Sequence, residues 1–584
     1  MEVERGMKVL GQSVQRKDSL GKVTGEAFYP GDLILENQAA MKVLFAGRPH
    51  AVIRSIDISE AEAMPGVLAV LTARDVPCNE YGLMDKDQPV LCGPGSSVEG
   101  AEKVRFEGDQ VAVVIAEDEE IAAKARAAIR VEYEDLPAVT DPEEALREGA
   151  PLLHEDKPGN LVREVHVERG DPDGVFAEAD VIVEGEYSTP TQEHAYLQPE
   201  SGVGYIDEEG RITVYTAGQW AHNDASAIAH ALDIPVEKVR VIYPAIGGAF
   251  GGREDISVQI VLALGAKALH EKGIDRPVRL EWDREESMIG HYKRHPFRVK
   301  TRWAAAADGR ILGAEYHVVV DGGAYASTTG YVLINSVLHL TGPYEISNIR
   351  VDAFAAYTNN VPNGAFRGFG GPQALFPVES QMEKLAEAVG LDPVEIRLRN
   401  AMEEGSSTIF NTAMSPGVSI KDVIRRTAAR AGWKETRSGW QRPVINAVEG
   451  STEPYIKSGQ GFAAIFKNVG YTFGARTTCT ARIELHGREK IEEAVVYHAA
   501  PEVGQGTITV IAQMAAEALD VPYDAVRVVS TDTEKMQDSG PSSASRMTFM
   551  AGHSIQGAAL KALEEWRNEE RPAVGEFTYL APET

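Results

Sequence analysis

Apolar and polar positions change period repeatedly along the chain. The run Met41-Lys42-Val43-Leu44-Phe45-Ala46 predicts a short strand and Val67 to Leu71 a second, with a helical turn over Asp57 to Ala63 stopped by Pro65-Gly66. Val104 to Ala116 alternates on either side of Gly108, the pattern of a strand pair. Glu119 to Arg130 reads as a helix feeding the strand Val131-Glu132-Tyr133. The stretch Asp141 to Gly159, rich in Pro, Asp and Glu, predicts a linker. Further on, Gln381 to Val389 has helical spacing, Gly390 suits its C-cap, and Asp392-Pro393 opens another helix with Asp as N-cap.

One pattern occurs twice. Gly218-Gln219 precedes an Ala-rich helix, then Ala231-Leu232-Asp233-Ile234-Pro235 and Val239-Arg240-Val241. Gly504-Gln505 precedes an Ala-rich helix, then Ala518-Leu519-Asp520-Val521-Pro522 and Val526-Arg527-Val528. Each copy predicts a loop, a helix and a strand, with a Gln beside the helix N-terminus. Common helix–turn–strand chemistry produces such matches by chance; a duplicated half-domain gripping one ligand from two sides produces them by design.

Length and composition set limits. A chain of 584 residues with 43% hydrophobic and 25% charged residues implies a globular protein of two to four domains. No apolar run approaches the roughly 18 residues of a membrane span, and the charged start Met1-Glu2-Val3-Glu4-Arg5 lacks a signal core. The expectation is a cytoplasmic protein. Its net charge of −29 disfavours nucleic acid, whose phosphates it repels. Cys78, Cys92 and Cys479 are scattered. With no CxxC pair they argue against a disulfide framework and a structural zinc site, exclude an iron–sulfur cluster built by this chain alone, and read as small core residues.

Glycine concentrates in three loops: Gly247-Gly248-Ala249-Phe250-Gly251-Gly252-Arg253-Glu254, Ala365-Phe366-Arg367-Gly368-Phe369-Gly370-Gly371-Pro372-Gln373, and Val503-Gly504-Gln505-Gly506. None fits a dinucleotide fingerprint or a P-loop. Embedded Phe, Arg and Gln point to a large, polar, phosphate-bearing ligand.

These loops, in this order, resemble the molybdenum-binding subunits of the xanthine dehydrogenase and aldehyde oxidase family, of the bacterial D-subunit type. Gly21-Lys22-Val23-Thr24-Gly25-Glu26-Ala27 and Gln192-Glu193-His194 are similar to it as well. The resemblance implies an α+β fold: a small N-terminal α/β-hammerhead domain over 1–160, a first molybdopterin-binding domain over 161–435, and part of a second over 436–584, with internally duplicated halves. It implies a molybdenum-pyranopterin cofactor, commonly the cytosine dinucleotide in bacteria, whose metal takes no protein side chain. Gln219, 31 residues before Phe250, resembles the glutamine facing the metal, with the backbone of Gly248, Phe250 and Gly251 on its other side. Arg367 resembles the arginine beside the reacting oxygens. Gly504, Gln505 and the turn Ser543-Ala544-Ser545 would hold the pterin and its phosphates.

Phe369 resembles one of two rings sandwiching a flat substrate; the second falls within Val469 to Phe473, where alignment puts Val469 at the key place and Tyr471 or Phe473 substitutes. Glu254 resembles the carboxylate paired with a purine ring nitrogen. Asn335 stands where purine hydroxylases carry arginine, 32 residues before Arg367, and an amide stabilises an anionic oxygen less well.

The family's base is a glutamate in Gly-Val-Gly-Glu, about 180 residues beyond Ser545 on family spacing, whereas 39 residues follow Ser545 here. Val574-Gly575-Glu576 imitates the motif too early and reads as the start of a strand over Gly575 to Tyr579. The expectation is a split enzyme, with a partner of roughly 180–220 residues supplying the base, or else a fragment. The implied reaction is hydroxylation of a purine-like N-heterocycle such as hypoxanthine or xanthine, with water as oxygen donor. Electrons would leave through an iron–sulfur subunit with [2Fe–2S] clusters and a subunit with FAD. The alternatives are an aldehyde or nicotinate-type hydroxylase and a catalytically silent cofactor-binding scaffold.

Overall fold

A computed structural model describes residues 7–437, 439–443, 459–471, 477–529 and 531–582. Its fold is α+β, built on mixed sheets. A seven-stranded sheet runs in the order Val239–Ile242, Ile212–Thr216, Ser201–Ile206, Val278–Glu281, Ala39–Phe45, Gln110–Ala116, Val67–Thr72. Strands from both sides of residue 160 therefore share one sheet, and Met41 and Ile115 share a core with Val214, Leu262 and Trp282. The helix Gln259–Glu271 lies on that sheet and is apolar nearly all round, as its double-sided burial requires. Each such fully buried aliphatic side chain contributes about 1.5–3 kcal/mol by leaving water.

Gln110–Ala116 and Lys103–Val104 do not pair with each other, contrary to the alternation around Gly108. The two-residue strand instead joins a three-stranded sheet with Ala51–Asp57 and Arg130–Asp135. Period-2 alternation reports only that a strand has two different faces; it carries no information about its neighbour. The expected linker at 141–159 is also packed. Asp141 caps the short helix Pro142–Ala145 and pairs with Arg298, while buried Asn160 donates to the carbonyls of Ala145 and Pro151.

A five-stranded sheet, Leu161–Arg169, Asn348–Tyr357, Ile311–Gly323, Phe297–Ala305, Val181–Thr189, carries the helices Thr329–His339 and Gly371–Val389. Gly390 closes the second helix in the left-handed conformation, and Asp392 caps Pro393–Asn400 through the NH of Val394. A four-stranded sheet, Val526–Val529, Ile491–Tyr497, Thr478–Gly487, Ala573–Leu580, is covered by Thr507–Leu519 and Met547–Arg567. Glu576 lies within its last strand, as the reading of Gly575 to Tyr579 requires.

The repeat is structural. Strands Ile212–Thr216 and Val239–Ile242 are parallel neighbours linked through helix Ala221–Ala231. Ile491–Tyr497 and Val526–Val529 are parallel neighbours linked through Thr507–Leu519. Asp233 and Asp520 end the two helices at φ 50° and 55°. The copies meet where Tyr243 N donates to Thr531 O at 3.0 Å and Thr533 N to Val241 O at 3.1 Å, with Arg240 bonding Asp532 at 2.7 and 3.0 Å.

Residues ahead of the hammerhead pack on the last domain. The Glu517 carboxylate accepts from the backbone NH groups of Lys8, Val9 and Leu10 at 2.7–3.2 Å, and these bonds hold its carboxyl below the ordinary value. Arg16 donates to Gly504 O at 3.0 Å and Lys17 to Tyr523 O at 3.0 Å. Glu517→Ala should lower stability by about 0.5–1.5 kcal/mol, the ordinary net range for a hydrogen bond that water also reaches, in denaturant unfolding at neutral pH. A carboxyl whose pKa is depressed on folding contributes above its unfolded value and loses that contribution as pH falls through the folded one, so the difference should vanish in acid.

Candidate cofactor and active site

Gln219 joins the loops that the sequence singles out. It is 3% exposed, and every strong hydrogen-bonding group it carries is used. Its NH donates to Arg253 O at 2.8 Å, and its Oε1 accepts from Gly251 N at 3.0 Å. Its carbonyl accepts from Ser542 N at 3.0 Å, and Nε2 donates to Ser542 O at 2.9 Å. The remaining Nε2 proton finds only Glu254 Oε1, at 3.4 Å.

The first loop meets the second closely. Gly251 has φ 106°, and a Cβ there would stand 2.7 Å from Ala365 O, so only glycine fits. Arg367 N donates to Phe250 O at 2.8 Å. Two buried histidines tie the same strip from beneath: His194 Nε2 lies 2.9 Å from Ala365 O and His291 Nε2 2.8 Å from Gly252 O. Burial holds both imidazoles neutral, His291 at about 3, so each donates from Nε2 to a carbonyl. His194 also stacks on Phe366 at 4.0 Å. Arg253 is spent on the backbone, donating to Gly248 O at 2.8 Å and Gln198 O at 2.6 Å with its guanidinium over Tyr196.

The third loop reaches this strip through the turn 541–546. Ser542 Oγ donates to Pro501 O at 3.1 Å, and Gln505 Nε2 donates to the same carbonyl at 3.0 Å. Tyr471 OH and Ser543 Oγ are 2.8 Å apart, and Gly470 N donates to Ala544 O at 2.8 Å. The loops at 247–254, 365–373 and 503–506 are therefore linked by a continuous chain of hydrogen bonds. Phe250, Phe369, Ala544 and Ser545 all adopt positive φ, between 48° and 56°. Such backbone strain in non-glycine residues persists only where its surroundings impose it, and it gathers at functional sites.

Not every expected residue stands open to a ligand. Asn335 is buried, and its amide donates to the carbonyl of Phe369, fixing that ring's strained backbone instead of facing a substrate. Gln505 is folded into its own loop, with Oε1 accepting from Val503 N at 2.7 Å. The NH groups of Gly504 and Gly506 turn onto the carboxylate of Glu502, at 2.8 and 2.9 Å, and Ile508 N joins them at 3.1 Å. An internal carboxylate thus fills the anion nest that the pattern Gly504-Gln505-Gly506 offered to a phosphate. Nothing in the glycine pattern announces Glu502; its position four residues ahead of a helix-opening glycine is the one available signal. Phe473 lies outside the described residues.

Glu254 is half-buried, and its carboxyl is pushed up to about 8 by desolvation and then by the charge of Asp255, with the Ser543 hydroxyl acting the other way. Arg367 is exposed, and its guanidinium has no hydrogen bond or ion pair with any described residue. Among the described residues the strip holds no thiolate. Its available groups are an amide proton, a free guanidinium, hydroxyls and the open outer faces of Gly504 and Gly506, where a Cβ would meet nothing within 4 Å. That donor set fits a polar organic cofactor that brings its own ligands to a metal. A cavity of about 610 Å³ near Arg240, Thr480, Tyr497 and Met536 is separate from these loops.

Comparison with known proteins agrees. Residues 153–401 and 428–576 each match the family described as molybdopterin cofactor-binding domain, and 24–137 match the a/b hammerhead domain of aldehyde oxidase and xanthine dehydrogenase. The class is therefore that of molybdopterin oxidoreductases. The chain is 35% identical over 556 residues to a probable xanthine dehydrogenase subunit of Bacillus subtilis, covering 93% of this chain and 69% of that one. It is 38% identical over 435 residues to the nicotinate dehydrogenase large molybdopterin subunit of Eubacterium barkeri, covering 74% and 99%. The aldehyde oxidoreductase of Desulfovibrio gigas superposes with a TM-score of 0.85 at 26% identity, covering 98% of this chain and 63% of that one. The chain belongs to the xanthine dehydrogenase and aldehyde oxidase family, among its molybdopterin-binding chains, and its cofactor is molybdenum-carrying molybdopterin. No helix among the described residues is long and apolar enough to cross a membrane.

Two outcomes are expected in the cofactor-free chain. Gln219→Ala strands Gly251 N and Ser542 O, and should lower stability in thermal unfolding by about 1–3 kcal/mol per buried group left unpaired. Glu254→Gln should stabilise relative to wild type as pH rises. A carboxyl whose pKa is raised on folding contributes fully below its unfolded value near 4.5 and loses this as pH rises through about 8. The variant's advantage should therefore open across that window and be absent below it.

Proposed function

We propose that this strip carries the oxidative hydroxylation of a purine-like nitrogen heterocycle, with hypoxanthine and xanthine as the type substrates and water as the oxygen source. When bound, the molybdenum-pyranopterin, in the cytosine dinucleotide form on this reading, supplies the oxygen transfer and accepts two electrons. The observation that carries the reading is Glu254, a raised carboxyl 3.4 Å from the Gln219 amide. Near neutral pH it keeps its proton and donates to an unprotonated ring nitrogen; a plain aldehyde offers no such acceptor. Phe369, locked by Asn335, presents an aromatic face to a planar ring. Tyr471, held by Ser543, supplies a second aromatic beside Glu254. Arg367 brings an unpaired cation to stabilise negative charge developing on oxygen. Gln219, with the backbone of Gly248, Phe250 and Gly251, holds the cofactor end, and Ser543, Ala544 and Ser545 the pterin.

The general base comes, on this reading, from a partner segment bearing Gly-Val-Gly-Glu. Among the described residues, Asp255 is committed to Ser327 and Glu502 to the loop NH groups. Electrons leave through partner chains with [2Fe–2S] clusters and FAD, and three free cysteines suit a reducing, cytoplasmic setting. A nicotinate-type substrate is the second reading, favoured by the 38% identity to the Eubacterium barkeri chain and by Asn335 in place of a cation.

Initial rates of the assembled complex with hypoxanthine, xanthine, nicotinate and an aldehyde decide between them. Oxidation of the aldehyde alone overturns the role given to Glu254. Arg367→Met should lower kcat by about 10²–10³, as for loss of one preorganised electrostatic donor; normal turnover would place the site elsewhere. Glu254→Ala should cost about 10–100-fold in kcat/KM for the heterocycle, the scale of one hydrogen bond to a buried polar group, with little change for an aldehyde.

A further inference from the structure

The helix Ala221–Ala231 runs from the Gln219 loop to a second group of reactive side chains. At its C-terminal end His230 Nε2 lies 3.3 Å from Cys78 Sγ and 3.2 Å from Glu80 Oε1. Each of the three residues has a ligand atom within 4.8 Å of the other two, and all three side chains are part-buried. The hammerhead loop that carries Cys78 and Glu80 is fixed to the helix end, because Cys78 N donates to Ala231 O at 3.0 Å. Unlike Cys92 and Cys479, Cys78 is not fully buried, so the expectation that all three are simple core residues fails for this one.

Hydrogen bonding alone serves this trio poorly. A neutral imidazole has at most one proton on Nε2, and both Sγ and Oε1 converge on that nitrogen. A divalent cation between them satisfies all three. Tetrahedral zinc bonds of about 2.3 Å to sulfur and about 2.0–2.2 Å to nitrogen and oxygen set ligand–ligand edges of about 3.4–3.6 Å. The two close contacts lie a few tenths of an ångström inside those edges and need only a small opening. Charge agrees as well. Burial and then Glu80 push the Cys78 thiol up, so it keeps its proton until a cation displaces it; with a cation bound, Cys78, Glu80 and nearby Asp233 carry three negative charges against one from Lys86, whose Nζ is 3.1 Å from His230 Nδ1. Lys86 is exposed and free to swing away when Nδ1 takes up the proton that Nε2 gives up.

We propose that Cys78, Glu80 and His230 form a zinc site, with water as the fourth ligand, that clamps the hammerhead domain to the helix following Gln219. Binding displaces the Cys78 proton to solvent and changes no oxidation state. The site stands at the far end of an 11-residue helix, about 16 Å from the loop core at 1.5 Å per residue, so it is separate from the molybdenum cofactor.

The test uses the full chain in its assembled complex, stripped of adventitious metal and titrated with Zn²⁺ or Co²⁺. One equivalent of Co²⁺ should bind with a thiolate-to-cobalt charge-transfer band. Cys78→Ser should abolish the band and weaken Zn²⁺ binding at least about 100-fold, and Glu80→Gln about tenfold, since even outer-shell changes cost 10–100-fold. Molybdenum content should be unchanged in both. In wild type, Zn²⁺ should also slow alkylation of Cys78 by iodoacetamide, a readout independent of how the variants fold. Cobalt without a charge-transfer band, equal zinc affinity in Cys78→Ser, or unslowed alkylation each overturns the site.

Discussion

One buried amide holds the centre of this protein together. Gln219 bonds the first glycine loop through Gly251 and Arg253 and the second domain through both polar groups of the Ser542 backbone. Each of these groups is expensive to leave unpaired away from water, so the two domains cannot separate at this point without stranding several at once. The contact of Gly251 with Ala365 then carries the constraint to Arg367 and Phe369. Whatever binds in the strip meets a surface whose shape is fixed in advance, which is what a site that must orient both a cofactor and a substrate requires.

The chain as a whole is strongly acidic, yet its binding strip is poor in free negative charge. Asp255 is bonded to Ser327, Glu502 is enclosed by backbone NH groups, and Glu254 is pushed towards its neutral form. Among the described residues, the cations without a carboxylate partner there include Arg367, Arg294 over Phe366, and Lys467 beside Gly371. Local bonding and burial, not net charge, set the electrostatics an anionic cofactor meets.

Much of this was legible from local signals. Gly390 and Asp392 mark helix ends because capping is decided by a few neighbouring residues. The duplicated unit was visible because Asp233 and Asp520, followed by Ile-Pro and Val-Pro, stop two helices in the same left-handed way. The glycine loops stood out because close backbone approach tolerates little else. What stayed hidden depends on partners distant in sequence. Alternation around Gly108 could not say which strands pair. Nothing near Asn335 shows that its amide is used by Phe369, and nothing near Gly504 shows that Glu502 turns back on the loop. His291 supports Gly252 from 39 positions away and carries no motif of its own.

The arm that begins the described chain has a consequence for how the protein is made. Lys8 and Val9 find their carboxylate at Glu517, 509 and 508 residues later. At a synthesis rate of about 5–20 residues per second, that carboxylate follows the arm out of the ribosome only after roughly 25–100 s. For that interval the segment ahead of the hammerhead waits without this carboxylate, and the contact closes only once the helix Thr507–Leu519 has emerged.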